Sequence, residues 1–185
     1  MTLADLERTA PTAREFPKKA SYGRGELLAL AHGEYPHVPR LPAPPYLLFD
    51  RITEINGSGG THGKGLVRAE LDLRDDLPFF LAHFVGDPVM PGKDQLDAIL
   101  QMLGFFGGWS GANGKGRATG VEGPIKFLDE ITPGHKRVEY VVNVSRLVLS
   151  RNGKRPSFAV GDGEIFCDGK LTCTVMQAGA CVIPQ

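Results

Sequence analysis

The chain has 185 residues, 42% apolar and 23% charged, which suits one globular domain with a sizeable core. Lysine plus arginine equals aspartate plus glutamate, 21 each, so no net charge draws the chain to nucleic acid or an anionic membrane. No run approaches the roughly 18 apolar residues of a membrane span, and the opening "MTLADLERTAPTAREFPKK" has acidic residues and no apolar core, unlike a secretory signal.

Residues 1–45 read as an irregular arm with a short helix over 25–31, ended by the proline-rich "PHVPRLPAPP". The body of the domain spans 46–185. "YLLFDRITEI" (46–55) and "KGLVRAELDL" (from 64) predict strands, joined by the turn "NGSGGTHG". Then comes "AHFVGDPVMPGKDQLDAILQMLGFFGGW", which places a histidine after an apolar run, a turn with two prolines, and a helix over 93–109. "SGANGKGRATG" lacks the spacing of a phosphate-binding loop and reads as a connection. "GPIKFLDEI" and "KRVEYVVNVSRLVLS" predict strands, the second with Val138, Tyr140, Val142 and Val144 on one face. "RNGK" and "CDGK" are two-residue hairpin signals, each flanked by strands. One long helix with five or six strands, not alternating, predicts an α+β fold with an antiparallel sheet.

Cys167, Cys173 and Cys181 match no common zinc or redox spacing, and no histidine lies near them. They are expected to pack in strands as reduced thiols of a cytoplasmic protein. No metal and no cofactor is expected.

Leu96, Ile99, Leu100, Leu103 and Phe106 lie at helical spacing, and Ala98, Met102, Phe105 and Gly107 add small or apolar residues on other faces. Such a helix is buried nearly all round. Asp97 sits within it, where a carboxyl either faces water or, in apolar surroundings, keeps a proton it can donate. His83 alone would be read as a core histidine bonded to a carbonyl. Paired with Asp97, it becomes a candidate base. Base and acid together suit removal of a proton from one carbon and loss of hydroxide from its neighbour. Gly92, at the start of the helix, offers a close backbone approach and free N–H groups at the positive end of the dipole. Those groups can hold an enolate-like oxygen.

"HFVGDPVMPG....LDA", followed by "GFFGGW" and "GKGRATGV", resembles the bacterial 3-hydroxydecanoyl-acyl-carrier-protein dehydratase/isomerase family, and the likeness runs from about Arg24 to the last strand. "LPAPPYLLFDRI" is similar to that family's run into its first strand. The resemblance implies the hot-dog fold, an antiparallel sheet wrapped around a long central helix, in a homodimer with active sites shared between subunits. It implies His83 as general base, Asp97 as the acid that protonates the leaving hydroxyl, the Gly92 amide on the thioester carbonyl, and the Val89 carbonyl orienting His83. The acyl chain would lie in a tunnel bordered by Leu100, Phe105 and Phe106. Aspartate rather than glutamate at position 97 points to the longer, bifunctional branch, so trans-2 to cis-3 isomerisation is a further expectation beside dehydration in fatty acid biosynthesis.

Two departures stand out. Where the family usually reads Cys-Leu-Gly, this chain has Lys93, Asp94 and Gln95. Lysine in a first helical turn costs about 0.3–1 kcal/mol and Asp94 offsets a similar amount, so the concern is the site: the triplet could narrow the tunnel, or Asp94 could pair with His83 or Lys93. "GVEGPIKF" is one residue longer than the family's run, which suggests a bulge or an altered strand start. An acyl carrier protein partner is acidic, and Arg146, Arg151, Lys154 and Arg155 form a basic cluster that could dock it. The alternative reading is an acyl-thioester-binding protein of little or no activity, its site altered by the Lys93-Asp94-Gln95 triplet. A thioesterase would need its carboxylate placed to activate water, which the dehydratase-like spacing disfavours.

Overall fold

A computed structural model describes residues 15–150 and 152–184. In chain order the elements are α1 (Arg24–Ala31), β1 (Arg51–Asn56), β2 (Leu66–Asp72), α2 (Pro78–Ala82), α3 (Gly92–Trp109), β3 (Lys115–Val121), β4 (Ile125–Phe127), β5 (Arg137–Val148), β6 (Ser157–Cys167) and β7 (Lys170–Ile183). The strands form one antiparallel sheet in the order β1-β2-β5-β6-β7-β3, with β4 also paired to β7. Helix α3 packs across β5, β6 and β7. The expected α+β class with an antiparallel sheet is found.

Alternation places the core. On β5, Val138, Tyr140, Val142 and Val144 are all fully buried, as their spacing predicts. They meet Ile99, Met102, Leu103, Phe105 and Phe106 of α3 in the hydrophobic core, each large side chain worth about 1.5–3 kcal/mol when removed from water. Leu96 and Leu100, which the sequence placed on the core face, are only half-buried. Glycines let the helix approach the sheet. A Cβ on Gly163 would lie 2.9 Å from Ile99 Cδ1, and one on Gly161 would lie 3.2 Å from Leu103 Cδ2.

The arm shares this core. Tyr22, Leu27, Leu30 and Leu41 are buried in it, and Tyr22 makes a bridge to Ile52 of β1. Its proline-rich segment then runs along α3 towards the helix start. A Cβ on Gly108 would lie 3.1 Å from Val38 Cγ1, while Tyr46 meets Gln101 about two turns nearer the start.

Several elements differ from the sequence expectation. The first strand starts at Arg51 rather than at Tyr46. Residues 46–50 are held instead by contacts to α3 and β2: Leu48 N–H donates to Gln101 Oε1 (3.4 Å) and Asp50 N–H to the Glu70 carbonyl (2.7 Å). Residues 115–120 of the glycine-rich connection belong to β3, because β7 supplies a ladder for it, bulged between Ala118 and Gly120. Among the described residues the strands number seven, where about five or six were expected. The apolar run 78–82 is the short helix α2, started by Pro78 at a position where a missing N–H costs nothing. The Asp168-Gly169 turn is a tight hairpin with both residues at positive φ, as Asp-Gly predicts. The Asn152-Gly153 pair does not form a two-residue hairpin, because β5 ends at Val148 and β6 starts only at Ser157.

All three cysteines are buried and unbridged. Burial pushes the thiols of Cys167 and Cys173 up to about 11, which suits inert core residues.

Candidate active site

His83 caps the C-terminus of α2, donating its N–H to the Phe79 carbonyl at 2.9 Å. Its carbonyl accepts the Val89 N–H at 2.7 Å, and its ring Nδ1 lies 3.0 Å from the Val89 carbonyl oxygen. A carbonyl can only accept, so that contact sets a proton on Nδ1 and leaves Nε2 with a free lone pair. Phe84, joined to His83 by a cis peptide bond, stacks on the imidazole at 4.0 Å. The turn between them is closed by two reciprocal bonds between Phe84 and Asp87.

Met90 anchors the next segment, donating to the Ile131 carbonyl at 2.8 Å with its side chain in the core. Pro91 then caps α3 and Gly92 is its first residue. First-turn N–H groups have no partner within a helix, so this end presents donors and positive potential. The ring of Phe127 lies over Gly92: a Cβ there would stand 2.7 Å from Phe127 Cζ.

Asp97 is half-buried on α3 and borders a pocket shared with Gly116, Arg117 and Ala118 of β3. Gln101, one turn further on, donates from Nε2 to Asp97 Oδ2 (2.7 Å) and to the Tyr46 carbonyl (2.8 Å). Sequence reasoning passed over Gln101. The signal was the i, i+4 spacing from Asp97, which puts both side chains on one face.

His83 and Asp97 border one cleft of about 390 Å³ within a single chain, together with Tyr46, Leu48, Phe79 and Asp94. That size lies in the range of small-molecule sites. Lys93 also borders it, 78% exposed at the rim, and pairs with Asp94 at 2.5 Å. The pair holds the Lys93 ammonium above its ordinary range, by hydrogen bond first and charge second. Asp94 thus pairs with Lys93, one of the two partners open to it. Gln95 turns inward and is 3% exposed, its Oε1 without a partner among the described residues.

Leu100 borders a second, smaller pocket of about 170 Å³, shared with Asp97, Gln101, Arg40, Leu41 and Arg117. Phe105 and Phe106 lie elsewhere. Phe105 packs edge-on against Tyr22 and Phe16 under the arm, and Phe106 stacks on Trp109. Neither lines the two pockets at Asp97. Arg146, Lys154 and Arg155 are exposed on the β5–β6 hairpin, and Arg151 lies outside the described residues. Register puts that hairpin near the C-terminal end of α3: Ser157 pairs with Val182, which lies against Gly107. Among the described residues, no group of three His, Cys, Asp or Glu side chains is arranged to hold a metal.

Comparison with known proteins agrees with this architecture. A FabA-like domain model matches residues 41–176, most of the chain. Among solved structures, the dehydratase heterocomplex ApeI:P from Xenorhabdus doucetiae superposes with a TM-score of 0.54 at 20% identity, over 77% of this chain and 86% of that one. A hypothetical thioesterase protein from Streptococcus pneumoniae, determined with coenzyme A, gives 0.49 at 14% identity, over 72% and 85%. The fold is the hot-dog fold, and the chain belongs to the FabA-like domain family.

Proposed function

We propose that this protein is a lyase that removes water from (3R)-hydroxyacyl thioesters on acyl carrier protein, giving the trans-2-enoyl product. The observation that carries this reading is how each group is held: an imidazole whose Nδ1 is bonded to the Val89 carbonyl, leaving the Nε2 lone pair free, and a carboxyl tethered by Gln101 on α3. His83 Nε2 takes the C2 proton. The electrons form the C2–C3 double bond, and the C3 hydroxyl leaves as water with a proton from Asp97. The Gly92 amide holds the thioester oxygen while enolate charge develops on it. Gln101 occupies Oδ2 of Asp97, so Oδ1 is the oxygen left to carry the proton. The proton now on His83 returns to Asp97 through water before the next turnover.

Isomerisation extends the same chemistry: His83 would remove a proton from C4 and return one to C2, moving the double bond to cis-3. By family likeness the protein works as a homodimer, with His83 and Asp97 of one site drawn from different subunits. Carrier docking falls to Arg146, Arg151, Lys154 and Arg155, and the pathway is fatty acid biosynthesis. A binding-only role would need the Lys93-Asp94-Gln95 triplet to close the cleft. Lys93 and Asp94 pair with each other at the border of the cleft and Gln95 packs inward, and a cleft of about 390 Å³ remains beside them, which favours an open site.

The test is incubation with a (3R)-hydroxydecanoyl thioester, coupled to carrier protein and to coenzyme A, with products followed by mass spectrometry. Enoyl product from the parent and none from His83→Ala is the expected result, and the trans-2 to cis-3 ratio reads isomerisation. Free hydroxy acid in place of enoyl thioester would instead mark a thioesterase, and no turnover on either carrier would leave binding as the function.

A further inference from the structure

Asp94 borders the cleft beside His83, on the first turn of α3. Its side chain is 17% exposed, and Lys93 bonds its Oδ1 at 2.5 Å. Among the described residues no donor bonds its Oδ2. The dehydration scheme above gives Asp94 no part. The family that the sequence resembles usually has leucine here, so the carboxylate is particular to this chain. It stands three residues before Asp97, which puts the two carboxyls on one face of the helix with their Cβ atoms about 5–6 Å apart. Asp94 has His83 beside it in its own chain and Asp97 one turn away on its own helix. It therefore stays at the site whether the two reacting groups come from one subunit or from two.

We propose that Asp94 is a specificity-determining residue, selecting acyl groups that carry a hydrogen-bond donor such as a hydroxyl beyond C3 over plain hydrocarbon chains. The inference rests on the dehydration reading above and names the acyl group that the site prefers. Three observations support it. The first is charge. Asp94 is bonded to a cation and stands in a first helical turn, and both favour the anion. The second is its surroundings. Leu48, Pro78, Phe79 and Ala82 border the same cleft and have no side-chain donor to offer. A methylene chain laid against Asp94 strips water from the carboxylate and returns no hydrogen bond. A hydroxyl returns a charge-assisted one. The third is room. The cleft of about 390 Å³ is near the low end of the roughly 300–1,000 Å³ of ligand pockets. Phe105 and Phe106, the apolar pair expected beside a long chain, are packed against Phe16, Tyr22 and Trp109 instead.

The position of the donor follows from the helix. Asp97 serves the C3 hydroxyl, and Asp94 is one turn away. A group that reaches Asp94 while C3 lies at Asp97 stands a few bonds further along the acyl chain, at C5 or C6.

Binding of non-reactive analogues tests this apart from catalysis. The ligands are acyl amides, with nitrogen in place of the thioester sulfur: hexanoyl, 5-hydroxyhexanoyl and decanoyl groups on the same N-acetylaminoethyl stub. Titration calorimetry would compare the parent with Asp94→Leu and Asp94→Asn, and circular dichroism checks that each variant is folded. The parent should bind the 5-hydroxyhexanoyl amide about 10–100-fold more tightly than the hexanoyl amide, as one hydrogen bond to a charged group provides. Asp94→Leu should lose that preference and bind the decanoyl amide more tightly than the parent does. Asp94→Asn keeps an acceptor without the charge and should keep only part of the preference. Equal binding of the two hexanoyl ligands by the parent, or no binding of any amide, would overturn the proposal. So would an undiminished preference in folded Asp94→Leu or, should that variant not fold, in Asp94→Asn. A loss of affinity that is the same for all three amides would also overturn it, because it would place Asp94 at the common stub. The amides have no C3 hydroxyl and cannot be dehydrated, so a failed dehydration assay leaves this result standing, and a failed titration leaves the dehydration assay standing.

Discussion

Gln101 Nε2 lies 2.7 Å from Asp97 Oδ2, so the carboxyl at the cleft is tethered by a side chain one turn away on the same helix. The same amide nitrogen donates to the Tyr46 carbonyl, and Gln101 Oε1 accepts from the Leu48 N–H at 3.4 Å. One side chain therefore fixes both the proposed acid and the segment that forms the opposite wall. Replacing Gln101 by Leu keeps the size and removes all three contacts. A hydrogen bond to a charged group is worth about 1.5–3 kcal/mol, so kcat for enoyl formation should fall roughly 10–100-fold. Steady-state kinetics check this, and a Gln101→Leu protein that keeps the parent's kcat would remove Gln101 from the site.

Gly92 bears the ring of Phe127. Alanine there is compatible with a helix, so Gly92→Ala should melt near the parent temperature. It should still lower kcat/KM about tenfold, because the new methyl meets Phe127 Cζ at 2.7 Å and shifts either the ring or the first turn of α3. Removing the obstacle is the control: Phe127→Ala in the Gly92→Ala background should recover most of the loss. If the double variant is no better than Gly92→Ala alone, the methyl acts on the thioester directly and not through the ring.

How far the sequence disclosed this site depends on how local each signal is. The helix from Gly92 to Trp109 showed itself through spacing within one element, and a short motif pointed to His83, Val89 and Asp97 together. β3 was missed because glycine shows no alternation, and its place in the sheet comes from β7, some sixty residues away. Helix α2 was missed because five residues are too few for a helical period to emerge. Phe105 and Phe106 were expected beside the acyl chain, but an apolar stripe does not say which neighbour covers it. The arm, through Tyr22 and Phe16, covers Phe105.

Gly65 sits at φ +142° with the Phe106 ring packed on it: a Cβ would stand 2.8 Å from Phe106 Cε2. The conformation and the contact both demand glycine. Gly65→Ala should cost about 1–3 kcal/mol through overpacking alone, lowering Tm by several degrees in a domain of this size. Thermal melting reads it directly, and a Gly65→Ala protein with the parent Tm would mean that α3 is free to shift away from the loop.

Asp72 carries a pH signature. Arg51 bonds it first, with Arg137 adding charge, and together they hold its carboxyl below the ordinary range. A depressed folded value stabilises the protein above the unfolded value of about 3.9 and is lost as pH falls through the folded one. The group is 46% exposed, so the contribution is under about 1 kcal/mol. The parent should melt slightly above Asp72→Asn at pH 6, and the gap should close below about pH 4. A gap that stays constant to pH 3 would place its cause outside the ion pair.

Tyr140 and Gln95 give the opposite sign from most core substitutions. Tyr140 is fully buried on β5, and neither its hydroxyl nor Gln95 Oε1 has a partner among the described residues. Burial drives the Tyr140 phenol far above its ordinary range, so it stays neutral at every pH the fold survives. A buried polar group left unpaired costs about 1–3 kcal/mol. Tyr140→Phe removes that cost with almost no change of shape, and Gln95→Leu does the same on the facing helix. Each should raise Tm, and the pair should be close to additive if the two groups are independent. A Tyr140→Phe protein that melts lower than the parent would show that the hydroxyl is satisfied in solution.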